Sequence, residues 1–433
     1  MSLFHNDRIY STTISLLSGI ILVILGIVLV IYNKSFYIGT INILLILILI
    51  NSLIQIIKCL FNKNTKRNLI LALVNMIFIF VLLTIPTIPQ SLFPILFSGY
   101  LIVYSATRLI MSFIFLKNHV SGVIKELISA IIFSLIGFSI LLFPLKHIDI
   151  LLFIVGIYFI VLGSFLILTA VYVTIPVKYK NIFKRKIRIS LPVWLETIVP
   201  YTVLIEVNKF LEVDEVKDIY KNKNFKNNEP DMEIMVHVSD NGFNRVGHVD
   251  LVYNNQVISY GNYDENSRKF GQLIGDGVLF YASKEKYIPF CIKHSKKIIF
   301  GFGIKLSDKQ KKQIDSKLKE LNKELERWYP PCLKNKKNKE CNDYASELYK
   351  GTKAKFYKFK SGKFKTYFVV GVSCCDLANE IIGYSGIDFL KMNGVISPGT
   401  YYDCLNREYI TKTGLVVTRN IYTKDTCDYL LNK

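Results

Sequence analysis

The run GHVDLVYNNQVISYG, residues 247–261, decides how the second half of the chain reads. Two β-rich stretches, His-Val-Asp-Leu-Val-Tyr and Gln-Val-Ile-Ser-Tyr-Gly, flank Asn254 and Asn255. Two residues of this type between such stretches predict an antiparallel hairpin with a tight turn. Outward from it, residues 233–238 are apolar at alternate positions, and 278–282 and 297–304 read as further strands. Ser307 with Gln310 forms a capping box for a helix running to Trp328, with apolar Ile314, Leu318, Leu321, Leu325 and Trp328 along one stripe. Residues 364–372 form a strand leading straight into Ser373-Cys374-Cys375-Asp376-Leu377-Ala378-Asn379. There the apolar positions Leu377, Ala378, Ile381 and Ile382 switch to helical spacing, which places Cys374 in a first turn and lets Gly383 and Gly386 end the helix. This half is a soluble α+β domain.

The first half is different in kind. Of 433 residues, 51% are hydrophobic and 20% charged, and the mean hydropathy is +0.33. Residues 1–175 hold 10 Lys+Arg and 3 Asp+Glu, the remainder 44 and 30. A single globular fold, a disordered chain and a collagen-like chain are excluded. The net charge of +21 divides as +7 and +14. Basic residues beside membrane spans follow from topology rules and anionic lipid, and no nucleic-acid motif accompanies them, so nucleic acid is not an expected partner. The eight cysteines include no CxxC pair and match no zinc spacing, so no metal or other cofactor is called for.

Six apolar stretches, at 14–32, 36–57, 69–85, 92–116, 124–143 and 150–175, approach the ~20 residues a helix needs to cross a bilayer. Short turns at 33–35, 86–90 and 146–149 pair them into three hairpins. The expected architecture is a membrane all-α domain of six transmembrane helices (1–175), a basic, amphipathic connector (176–230) and the soluble domain (231–433). The connector carries a basic run at 178–188 and Trp194, a composition suited to the inner leaflet or to a strap on the next domain. Lys and Arg concentrate in alternate loops, so the chain is expected to be multi-pass in the cell membrane with both termini cytoplasmic. Glycines recur near the start of each second hairpin member, at Gly39, Gly99 and Gly156, with Ala106 and Gly163 seven positions on. Small residues at helical spacing let helices approach closely in lipid. Three such hairpins with short turns and no charge at a span centre resemble the HdeD family of bacterial acid-resistance membrane proteins, a likeness that transfers no site residues.

The chemistry lies in the second half. A thiol at a helix N-terminus meets unpaired N–H groups and the positive end of the dipole, which favour thiolate. A nucleophilic cysteine also needs a base, and His248, opening a strand behind Gly247, is the candidate. Cys375 competes with Cys374 for the nucleophile's role, although helical packing favours Cys374. Asp376 in the same turn helps the helix but opposes a thiolate. A third polar group must orient the ring. It is Ser259 if the hairpin turn has two residues and Tyr260 if it has three. A zinc site of His237, His248 and a cysteine is disfavoured because adjacent cysteines chelate one metal poorly.

Gly247-His248 opening a hairpin, a later cysteine with Leu377 and Ala378 behind it, and the downstream Ser397-Pro398-Gly399 resemble the circularly permuted NlpC-type papain-like families. These include the lecithin retinol acyltransferase-like and YebB/YiiX-like proteins. The resemblance covers about residues 232–405 and implies a cysteine hydrolase or acyltransferase that works through a thioester. In that reading Cys374 is the nucleophile, His248 the general base and Ser259 or Tyr260 the orienting group. An oxyanion hole would come from the backbone N–H of Cys374. The implied partners are the bilayer, a lipid, lipidated or peptide substrate, and a second copy of the chain through the membrane domain. The competing reading is a non-catalytic stress-related membrane protein whose papain-like domain is a binding module.

Overall fold

The turn at Asn254 and Asn255 has both residues at positive φ, 51° and 60°, so the two strands it joins pair in the tight two-residue register. A computed structural model describes residues 2–61, 65–174, 229–238, 247–295, 298–334, 341–387, 397–410 and 415–422. The basic run at 178–188, Trp194 and residues 394–396 lie outside them. The chain divides into two compact units. One comprises Met1–Phe113 and Gly122–Ile175, the other Ile114–Ser121 and Pro176–Lys433.

The first unit is helical: α1 (Ser2–Phe61), α2 (Thr65–Thr84), α3 (Thr87–Lys117), α4 (Val123–Leu142) and α5 (Ile148–Thr174). Four stretches among the described residues have the length and hydropathy to cross a membrane: Leu16–Ile57, Thr87–Lys117, Val123–Leu142 and Ile148–Leu168. This corrects the expected six. The first two expected spans run together as one helical stretch of 42 residues, broken by non-helical backbone at Asn33 (φ 41°, ψ −117°). The third, Leu69–Thr84, is shorter than a span requires. α1 and α5 meet through glycines: a Cβ on Gly26 would lie 2.6 Å from the Gly156 carbonyl oxygen, and one on Gly163 2.5 Å from that of Gly19. Gly156 and Gly163 thus sit at a helix contact, whereas Gly39 and Gly99 face open space. Arg108 pairs with Glu126 of α4 at 2.9 Å.

The second unit is built on an antiparallel sheet: β1 (Met232–Val238), β2 (His248–Tyr253), β3 (Gln256–Gly261), β4 (Ile274–Asp276), β5 (Val278–Ser283), β6 (Ile298–Ile304), β7 (Leu325–Trp328), β8 (Lys355–Phe359), β9 (Thr366–Phe368) and β10 (Val416–Tyr422). Eight strands run in the order β10-β6-β1-β2-β3-β5-β8-β7, and β4 and β9 pair separately. The helices are α6 (Lys284–Ser295), α7 (Asp308–Lys323), α8 (Tyr344–Thr352), α9 (Cys374–Tyr384) and α10 (Pro398–Ile410). The Ser307 capping box forms, with Ser307 N donating to Gln310 Oε1 at 2.9 Å and Gln310 N to Ser307 Oγ at 3.3 Å.

Three expectations are corrected. α7 ends at Lys323, and Leu325 and Trp328 belong to a strand instead, because β7 gains a pairing partner in β8 that outweighs helical continuation. Residues 364–372 are strand only at β9, and a turn closed by mutual bonds of Phe368 and Val372 follows. Gly383 lies inside α9, and the left-handed residue after the helix is Gly386 (φ 77°). One face of the central sheet, carrying Met235, Val252, Val257 and Phe280, packs on Tyr287, Ile288 and Cys291 of α6 and Leu348 of α8.

Candidate active site

The site forms where β2 begins and α9 begins. Gly247 takes φ 81°, and a Cβ there would lie 2.9 Å from Pro398 and 3.0 Å from the His237 carbonyl oxygen, so only glycine fits this entry to the strand. His248 follows. Its cross-strand partner on β1 is His237, and Met235 pairs with Asp250. Because side chains alternate along a strand, His248 and Asp250 share one face, and the hairpin register adds Ser259 to it.

Asp250 is the centre of this cluster and is 1% exposed. His248 Nε2 lies 2.8 Å from Asp250 Oδ1, and His237 Nε2 lies 2.7 Å from Oδ2. Tyr287 donates its hydroxyl to Oδ2 at 2.7 Å. Burial pushes the Asp250 carboxyl up, but the two imidazoles override it and hold the group well below the usual carboxylate range. The Ser259 and Tyr263 hydroxyls complete the shell, 3.0 and 3.1 Å from His248 Nε2 and 2.7 Å from each other.

Nε2 faces these oxygens, and Cys374 stands close enough to His248 for each to shift the other's titration. Cys374 is the first residue of α9. Ser373 N donates to Asp376 Oδ2 at 2.9 Å and Ser373 Oγ does so at 3.0 Å, which ties down the helix start. A bond from Cys375, the charge and hydrogen bond of His248 and the N–H of Val249 outweigh burial and hold the Cys374 thiol well below its ordinary value. Burial and the same bond to Cys374 push Cys375 well above it. Burial lowers the His248 imidazolium, but Asp250 and Cys374 overcome this and its pKa is pushed up to about 10. These shifts favour a thiolate–imidazolium pair with a carboxylate behind it. Burial raises the Asp376 carboxyl, which accepts both Ser373 bonds of the helix cap and has Lys363 at 3.7 Å as its counter-charge.

The structure therefore brings Cys374, His248 and Ser259 together. Tyr260 points elsewhere, donating to the Phe364 carbonyl at 3.0 Å. Sequence reasoning missed Asp250, His237, Tyr263 and Tyr287. Asp250 had a signal: it stands two residues after His248, hence on the same face of the same strand. His237 needed the β1–β2 register, and the two tyrosines needed the packing of α6 and of the segment after β3. Among the described residues no group of three His, Cys, Asp or Glu is placed to hold a metal ion.

No curated protein and no solved structure matches the chain. Residues 17–82, in the helical unit, match the model of a short repeat of unknown function, DUF308, an HdeD-like membrane family, and the match includes none of the sheet unit.

Proposed function

We propose that the sheet unit is a membrane-tethered thiol hydrolase or acyltransferase acting on an amide or ester. The observation that carries this reading is the Cys374–His248–Asp250 chain, in which a thiol at a helix N-terminus meets an imidazole backed by a buried carboxylate. Cys374 Sγ attacks the carbonyl carbon, and the C–O or C–N bond breaks as His248 delivers its proton to the leaving group. The resulting thioester is opened by water or an acceptor hydroxyl or amine, whose proton returns to His248 as the thiolate leaves. Asp250 holds the ring and balances the imidazolium throughout. His237 and Tyr287 keep Asp250 ionised and fixed. The fold likeness to permuted papain-like proteins is part of this reading, as are the cytoplasmic termini, which rest on the basic loops.

The test is the pH dependence of iodoacetamide labelling, site by site, in the wild type and His248→Ala. Reaction of Cys374 well below pH 8, lost in His248→Ala, supports the pair. A thiol titrating near ~8.5 and indifferent to His248 leaves a binding module in its place. Labelling of Cys374 by an impermeant reagent from outside intact cells overturns the orientation.

A further inference from the structure

In the sheet unit, four large hydrophobic side chains among the described residues are exposed: Phe270, Tyr329, Val370 and Tyr384. Two of them are covered by cations, Tyr329 by Arg327 at 5.4 Å and Tyr384 by Lys317 at 5.6 Å. Phe270, 74% exposed, and Val370, 45% exposed, have no such cover, and they sit on adjacent turns. The first turn is closed by mutual bonds of Lys269 and Ile274, and Phe270, Gly271 and Gln272 in it all take left-handed φ of 50°, 63° and 78°. That conformation is costly for a phenylalanine and persists only where the surroundings impose it. The second turn is closed by Phe368 and Val372. The Val369 N–H donates to the Leu273 carbonyl at 3.1 Å and locks the two tips side by side, beyond the β4–β9 pairing.

Two basic residues precede Phe270. Arg268 is matched by Glu265, but no acidic partner meets Lys269 among the described residues. We infer that the twin tips are a membrane-docking wedge: Phe270 and Val370 enter the acyl boundary of a bilayer while Lys269 binds anionic headgroups. Aromatic and aliphatic tips beside a lysine suit such an interface, where apolar burial and charge attraction add. The same chain carries four helical stretches long and apolar enough to cross a membrane, and a bilayer that held them would be tethered to the sheet unit at high effective concentration. Val370 precedes Cys374 by four residues, which at full extension span at most about 14 Å. Docking would bring the thiol within that distance of the acyl boundary, where ester and amide carbonyls of lipids lie. This consequence for the substrate rests on the thiol reading, while the docking itself does not.

The test uses the full chain reconstituted in vesicles of phosphatidylglycerol and brominated phosphatidylcholine. Phe270→Trp and, separately, Val370→Trp add an indole to the emission of Trp194 and Trp328, which the wild type supplies as baseline. The added emission is expected to fall roughly twofold with bromines high on the acyl chains and to resist aqueous iodide. It is expected to recover in the background of Lys269→Glu. An added indole quenched by iodide and untouched by bromine overturns the wedge. Alkylation of Cys374 on the same samples reports folding and separates the two ideas. Lost thiol reactivity with retained quenching sinks the thiol reading alone, and the converse sinks the wedge alone.

Discussion

Gly26 and Gly156 let two helices of the first unit close to backbone contact, whereas Asp250 in the second is wrapped by two imidazoles and a phenol. The first contact works by removing side chains, the second by concentrating charge. In lipid no hydrophobic force distinguishes a neighbouring helix from an acyl chain, so shape and close approach drive association. In the sheet unit the apolar core is secured by burial, and β1–β2 register then places a charged cluster inside it. One unit should therefore respond to volume and the other to charge.

The largest effect expected is from Asp250→Ala. It leaves two imidazoles and the Tyr287 hydroxyl without their acceptor, and removing one partner of a buried ion pair costs about 3–5 kcal/mol. Thermal unfolding of the full chain in detergent should show the sheet transition falling while the helical transition stays put, and a joint fall would break the contrast between the units. His248→Ala comes next. It restores an ordinary thiol to Cys374, only about 3% ionised at pH 7, so alkylation there should slow by roughly 30-fold. An unchanged rate would detach the cysteine from the histidine.

Gly26→Leu probes the other side of the comparison. The added carbon would meet the Gly156 carbonyl oxygen at 2.6 Å, and overpacking of this kind costs about 1–3 kcal/mol. The helical transition should drop with Cys374 alkylation unaltered.

Titration gives a subtler signature. The raised His248 pKa contributes stability that is complete below its unfolded value of ~6.5 and is lost as pH rises through about 10. The depressed Cys374 pKa contributes stability complete above ~8.5 and lost as pH falls. Between ~6.5 and ~8.5 the two slopes cancel, because both states of the pair hold one proton. The wild type should thus take no slope from this pair in that window, whereas in Cys374→Ser, where Asp250 still holds His248 protonated, the folded state keeps one proton more than the unfolded and stability should fall with pH by up to about 1.4 kcal/mol per unit. A Cys374→Ser variant as flat as the wild type there would mean that the imidazole is neutral. The smallest effect belongs to Ser259→Ala, about 0.5–1.5 kcal/mol, with Cys374 alkylation changed only a few-fold. A larger kinetic loss would return the orienting role to Ser259.

Much of this was legible along the chain. The Asn254-Asn255 turn, the Ser307 cap and the helix opening at Cys374 depend on neighbours within a few residues, and local physics settled them. The apolar stretches of the first unit were equally plain. Their division into spans was not, because where a helical run breaks depends on single residues such as Asn33, and hydropathy averages over them.

Alternation of side chains along β2 and β3 already put His248 and Ser259 on one face of a two-residue hairpin, and composition separated a lipid-like half from a soluble-like one. Only tertiary structure set Asp250 beside Ser259 at the ring, added His237 across the β1–β2 register and Tyr287 from α6, and set the Phe270 turn beside the Val370 turn. The reason is range. Capping, turns and periodicity act between neighbours in sequence, whereas the charge on a buried group depends on every element packed around it, and those elements meet only when the chain has folded.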